Sequence, residues 1–339
     1  MRAAGILIRV FGALLMLTAL SLPLMRAPDR PVESLVQQYA LPPSDFLPLP
    51  GGQLVHVRDE GPRADPVPIV LIHGTSASLH TWDGWTRALQ GQRRVIRLDL
   101  PGFGLTGPYT GKNAGRAYHA SEDARFTLQV LDAMGVQRFV AAGNSLGGEV
   151  AWRLAALAPQ RVERLILVDA AGYRFEPASV PLGWRLARVP VASRLFEMFL
   201  PRPMIVSGLV DVYGDPKRIT DELVTRYYDL TLREGNRRAL AERLRQTDRG
   251  RDEALIATLK LPTLILWGGR DRLIDPAFAQ RFEKDIAGSQ RVMFEALGHV
   301  PHEEDAAASV APVRRFLGLS EQSLDAADGS RPHTPAARR

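Results

Sequence analysis

The stretch Phe139-Val140-Ala141-Ala142-Gly143-Asn144-Ser145-Leu146-Gly147-Gly148-Glu149-Val150-Ala151-Trp152 constrains the chain more than any other. An apolar run of strand type enters it, a helical pattern leaves it, and Gly-x-Ser-x-Gly stands between them. A strand that turns at once into a helix strains the backbone of its central residue and pushes that side chain out at the sheet edge. Gly143 and Gly147 remove the Cβ atoms that would collide in so sharp a turn. The helix after the turn aims free N–H groups and the positive end of its dipole at whatever Ser145 meets. Ser145 therefore reads as a nucleophile, against the blander reading of a glycine-rich turn with a capping serine.

A serine hydroxyl is a weak nucleophile at neutral pH and needs a base, which in turn needs an orienting acid. His299, in Leu297-Gly298-His299-Val300-Pro301, is the candidate base, since it comes after a predicted strand and a parallel sheet gathers such loops at the serine's edge. His302, His73 and His80 compete with it; His302 reads as a neighbour or surface residue and His73 as a structural histidine after a buried strand. Asp271, in the glycine-rich turn Trp267-Gly268-Gly269-Arg270-Asp271, is the favoured acid. Asp169 fits the same Ser-acid-His order, whereas Asp99 precedes the serine and reads as a turn-forming carboxylate. Acyl transfer also needs two donors for an oxyanion. The N–H of Leu146 is one candidate, and the loop after strand 69–72 offers the other at Thr75 or Ser76.

The rest of the chain supplies a frame for these residues. Apolar runs at 69–72, 95–98, 138–142, 165–168, 263–267 and 291–294 alternate with helical patterns, which implies parallel βαβ units with right-handed crossovers. An alternating strand over 54–59 precedes them. The alternation lapses across 173–250, where helical spacing continues without a buried strand, so that segment reads as a helical insertion between core parts 51–172 and 251–318. Residues 1–25 are apolar apart from two arginines and read as a membrane anchor, with a cleaved signal peptide or a buried helix as alternatives. Such a start directs the downstream residues to export, so the catalytic part would be extracytoplasmic, or secreted or periplasmic after cleavage. Residues 26–50, with six prolines, read as a surface linker, and 319–339 as a disordered tail.

Composition removes several chemistries. The 339 residues include no cysteine, so disulfides, thiolate metal sites and cysteine nucleophiles are excluded. The net charge of +6 comes without a dense basic run or a nucleic-acid module, so no nucleic-acid partner is expected. Gly102-Phe103-Gly104-Leu105-Thr106-Gly107 matches a dinucleotide fingerprint in letters only, because no helical pattern opens there. No cofactor and no metal are expected.

Together, His73-Gly74, Asp99-Leu100-Pro101-Gly102-Phe103-Gly104, Gly143-Asn144-Ser145-Leu146-Gly147-Gly148, Trp267-Gly268-Gly269-Arg270-Asp271 and Gly298-His299 resemble the α/β-hydrolase superfamily over roughly Leu54 to Leu317. The resemblance implies an α/β fold with a mostly parallel eight-stranded sheet flanked by helices and a helical cap inserted after strand six. It also implies a Ser145-His299-Asp271 triad acting on an ester or related acyl bond of a small-molecule or lipid-like substrate. The Gly-Asn-Ser-Leu-Gly-Gly elbow is similar to that of carbon–carbon bond hydrolases of ring-cleavage products, for which Arg185 and Arg188 are candidate carboxylate partners. Serine at position 145, where haloalkane dehalogenases and epoxide hydrolases carry Asp, argues against both of those branches. The remaining alternative is a non-catalytic binding protein on the same scaffold.

Overall fold

A central sheet grows from the apolar runs, and its register decides which loops meet. The computed structural model describes residues 26–176, 179–190, 197–247 and 249–320, together with positions 12 and 16. In chain order it contains α1 (Glu33–Tyr39), β1 (Ser44–Pro48), β2 (Leu54–Glu60), β3 (Ile69–Ile72), α2 (Asp83–Leu89), β4 (Val95–Leu98), α3 (Ala120–Ala133), β5 (Phe139–Asn144), α4 (Leu146–Leu157) and β6 (Val162–Val168). After β6 come α5 (Leu182–Arg188), α6 (Arg202–Val212), α7 (Asp221–Thr231) and α8 (Asn236–Gln246). The alternation then resumes with β7 (Thr263–Gly268), α9 (Ala277–Asp285), β8 (Gln290–Phe294), α10 (Pro301–Glu304) and α11 (Ala306–Phe316).

The eight strands lie in the order β1-β2-β4-β3-β5-β6-β7-β8. Only the β1–β2 and β2–β4 pairings are antiparallel; the others are parallel. Every residue of β3, β5 and β7 is buried, as expected of continuous apolar runs covered on both faces. Alternate side chains divide between two cores. Ile72, Ala141, Leu167 and Ile265 pack with Phe126, Val150, Trp152 and Phe282 of α3, α4 and α9. Leu71, Ala142, Ile166 and Leu266 pack with Trp85, Leu89, Val310 and Val313 of α2 and α11. Register sets Ile72 against Gly143, Asn144 against Val168, and Val168 against Leu266. The residues just past these strands therefore emerge side by side at the carboxyl edge.

Two expectations need correction. Residues 26–50 are not a bare linker, because they supply α1 and the edge strand β1. Leu35 and Tyr39 are buried, and Tyr39 Oη donates to Asp229 Oδ2 at 2.8 Å, so the segment packs on the α7 region despite its prolines. The last helical pattern, which the sequence predicts as one helix over 303–317, is broken at Asp305, whose Oδ1 accepts the N–H of Ala308 and so starts α11 afresh. The anchor or signal assigned to residues 1–25 and the tail at 321–339 lie outside the described residues, positions 12 and 16 apart. Among the described residues no helix is long and apolar enough to cross a membrane.

The helices between β6 and β7 are clasped to the sheet by a buried ion pair. Arg243 of α8 and Asp123 of α3 are almost fully enclosed. The guanidinium also donates to Pro101 O at 2.9 Å and lies over the rings of Phe103 and Tyr118. Removing one member of such a pair strands a buried charge. Arg243→Ala is therefore expected to destabilise the protein by about 3–5 kcal/mol, and a paired Asp123→Leu/Arg243→Met replacement by less, as read from urea unfolding.

Candidate active site

Ser145 sits between β5 and α4 at φ 55° and ψ −118°, a left-handed conformation costly for a residue with a side chain. The surrounding glycines have no spare room. A Cβ on Gly143 would fall 2.0 Å from Gly147 O, and one on Gly147 would fall 2.1 Å from Ile72 O. The N–H of Ser145 donates to Val168 O at 3.0 Å, and its carbonyl accepts from Glu149 and Ala171. The turn is thus bonded on both sides, while the N–H of Leu146 has no hydrogen-bond partner among the described residues.

Asp271 and His299 come together as expected. His299 Nδ1 and Asp271 Oδ2 are 2.7 Å apart, and both residues are buried. The other carboxylate oxygen accepts the N–H groups of Leu273 and Ile274 at 2.8 and 2.9 Å. A carboxylate only accepts, so the imidazole proton lies on Nδ1 and Nε2 is left as the basic lone pair. Nε2 is buried and has no hydrogen-bond partner among the described residues, so no bond to Ser145 Oγ is formed in this structure. Hydrogen bonds of this kind are commonly long before a substrate tightens them.

Several residues to which the sequence assigned no role hold His299 in place. Asn144, next to Ser145, donates through Nδ2 to His299 O at 2.9 Å and to Val168 O at 3.1 Å, which ties the two loops together. The N–H of His299 donates to Val212 O at 2.7 Å, at the end of α6. Glu304 accepts from Gly298 at 2.8 Å, Gly214 at 3.0 Å and Asp215 at 2.8 Å, so one buried carboxylate binds the histidine loop to the inserted helices. Gly298 makes the approach possible: a Cβ there would lie 2.4 Å from both Gly214 N and Val212 O. The tying roles of Asn144 and Glu304 were not legible in sequence, because their partners lie 24 to 155 and 6 to 90 residues away.

The other candidates separate by environment. His73 is fully buried, with Nδ1 donating to Gly74 O at 2.8 Å and Nε2 accepting from Leu100 at 3.0 Å, so both nitrogens are occupied. His302 is buried against Trp82, not at the surface, and burial holds its pKa well below the ordinary histidine value. Asp99 accepts from His56, Leu79 and Leu105, and the glycine-rich 102–107 turn wraps around it. Asp169 is buried beside Asp271, and its pKa is raised well above the carboxylate range by burial and then by the charge of Asp271. Arg185 and Arg188 are exposed and do not line the cleft.

Ser145, Leu146 and Thr75 share a cleft with Phe175, Trp184 and Leu273. Its arginines are largely engaged: Arg153 with Glu149 and Asp252, Arg243 with Asp123. A second, apolar chamber adjoins it through Thr75 and Trp184 and is walled by Leu200, Met204, Ile205, Leu209 and Leu240. The two oxyanion candidates divide here. Thr75 lines the cleft and its N–H has no partner among the described residues. Ser76, at φ 61°, faces the second chamber instead, and its hydroxyl accepts from Trp184 Nε1 at 3.1 Å.

Comparison with known proteins fits this arrangement. The family model described as alpha/beta hydrolase fold matches residues 67–306, a span that holds Ser145, Asp271 and His299. A 2-hydroxymuconate semialdehyde hydrolase of Pseudomonas sp. (strain CF600) is 29% identical over 266 residues, 75% of this chain and 88% of that one. Lipase 1 of Psychrobacter immobilis is 29% identical over 285 residues, covering 80% and 82%. Among solved structures, a bacterial membrane phospholipase A superposes with a TM-score of 0.66 over 93% of this chain and 96% of that one. At 24% identity it speaks for the fold alone.

Glu304→Ala leaves three N–H groups without their acceptor, two of them at the inserted helices and one beside His299. A loss of about 1–3 kcal/mol per orphaned donor is expected in chemical unfolding. The variant's kcat on any accepted substrate should fall by more than its KM rises, as measured in steady-state kinetics.

Proposed function

We propose that this chain, which belongs to the α/β-hydrolase fold family, is a serine hydrolase of carboxylic esters. The observation that carries the proposal is the His299–Asp271 hydrogen bond of 2.7 Å, which leaves a buried Nε2 free at the edge where Asn144 ties the histidine loop to the Ser145 turn. Ser145 attacks the ester carbonyl, and His299 takes its proton and returns it to the departing alcohol. Asp271 holds the Nδ1 tautomer and stabilises the imidazolium. The N–H groups of Leu146 and Thr75 receive the oxyanion, an interaction worth about 2.7–4 kcal/mol per donor. Water, activated by the same imidazole, then releases the acyl group from Ser145.

The two chambers support a division of the substrate. The apolar chamber behind Trp184 suits an aliphatic acyl group, and the cleft beside Phe175 and Leu273 suits the alcohol part. The relative named a lipase is consistent with an ester of this kind. Carbon–carbon bond cleavage, which the resemblance of the elbow would suggest, gains no help from Arg185 and Arg188, which face solvent. The proposal includes attachment to a membrane through residues 3–25, for which the apolar sequence is the support.

Ser145→Ala should fold normally and lose ester turnover by roughly 10⁴-fold or more, with no labelling by a fluorophosphonate. Assays on p-nitrophenyl esters of graded chain length and on a ring-cleavage dienoic acid provide the readout. Full esterase activity in Ser145→Ala, or turnover of the dienoic acid alone, contradicts the reading.

A further inference from the structure

We propose that Asp169 is a positioning residue of this site: a neutral carboxyl that donates a hydrogen bond to Asp271 and holds that carboxylate against His299. The kinetic part of the proposal rests on the serine-hydrolase reading; the structural part does not. Asp169 comes directly after β6 at φ 46°, fully buried, with its N–H on Leu266 O at 3.0 Å. Its Oδ1 accepts the N–H of Gly268 at 2.9 Å, and its Oδ2 has no hydrogen-bond partner among the described residues. Asp169, Asp271 and His299 each present an atom within 4.8 Å of the other two. No salt bridge to Asp169 occurs among the described residues.

Two carboxylates this close in a buried setting do not both ionise readily, so the pair keeps one proton. Hydrogen bonding decides where it sits. Asp271 accepts from Leu273, Ile274 and His299, and three donors favour its charged form. Asp169 accepts from one. With the proton on Oδ2, the orphaned atom becomes a donor and Asp271 an acceptor, and the account of polar groups closes. Burial and the charge of Asp271 push the Asp169 pKa the same way, Glu304 adds to it, and Gly268 N–H opposes it. The pair then presents a single negative charge to the imidazole, and Asp271 gains a donor that water cannot replace.

The pH effect has a definite sign. A carboxyl whose pKa is raised on folding contributes its full stability below the ordinary carboxylate range, and that contribution fades as pH rises toward the folded value. Asp169→Asn keeps a donor for Asp271 and an acceptor for Gly268 but has no proton to lose. Urea unfolding of the full-length wild type and Asp169→Asn should therefore diverge in favour of Asn as pH rises above the ordinary carboxylate range, with the ratio of unfolding constants changing by up to about tenfold per unit. Infrared difference spectra at neutral pH should show a protonated-carboxyl stretch in wild type that Asp169→Asn lacks. On an accepted ester, Asp169→Ala should lower kcat by about 10–100-fold with little change in KM and should move the His299 Nδ1 proton resonance, and Asn should restore both. A stability gap independent of pH, or Asn as impaired as Ala with the resonance unmoved, overturns the proposal. Retained activity in Ser145→Ala would instead sink the serine reading and leave the unfolding and infrared arms standing.

Discussion

A residue with a side chain, Ser145, is held at φ 55°, and the carboxyl edge of the sheet is built to bear that strain. Such a conformation costs on the order of 1–3 kcal/mol and persists only where its surroundings over-determine it. Here the determinants are explicit. Gly143 and Gly147 bring backbone to backbone where no Cβ fits, and the carbonyls of Val168 and Ser145 fix the turn to its neighbours. The turn leaves the N–H of Leu146 without a partner among the described residues at the start of a helix, where its partial positive charge is most useful to a developing oxyanion.

The second element is the placement of one negative charge. Asp271 reaches His299 from a loop fixed by its own backbone bonds, so the imidazole receives an acceptor with little freedom to turn away. The histidine loop is fastened in two directions, to the serine turn through Asn144 and to the inserted helices through Glu304 and Val212. The inserted helices therefore form the roof of the cleft and also a support of the base. Any movement of the α6 end that enlarged the cleft would pull on His299.

Much of this was readable from the residues. Continuous apolar runs at 69–72 and 263–267 predicted strands buried on both faces, and β3 and β7 are buried throughout. Gly-x-Ser-x-Gly between a strand and a helix predicted the elbow, since only a tight turn explains both glycines. What stayed hidden depends on long-range contact. The prolines of 26–50 signalled a linker, while the burial of Leu35 and Tyr39 arises from a surface presented by residues about 190 positions away. Asp271 and Asp169 fit the same chain order, and only the orientation of His299 Nδ1 separates them. Thr75 and Ser76 are adjacent in sequence, and the Trp184 indole on the Ser76 hydroxyl distinguishes them.

The central claim is that distant segments converge to make one hydroxyl reactive beside two waiting backbone donors. The most direct measurement is a crystal structure of the protein after reaction with an alkylphosphonate ester. The account predicts a covalent bond from Ser145 Oγ to phosphorus, a phosphoryl oxygen about 2.7–3.1 Å from the N–H groups of Leu146 and Thr75, and His299 Nε2 within hydrogen-bond reach of the adduct. An unmodified Ser145, or an adduct whose oxygen points away from both N–H groups, would contradict it.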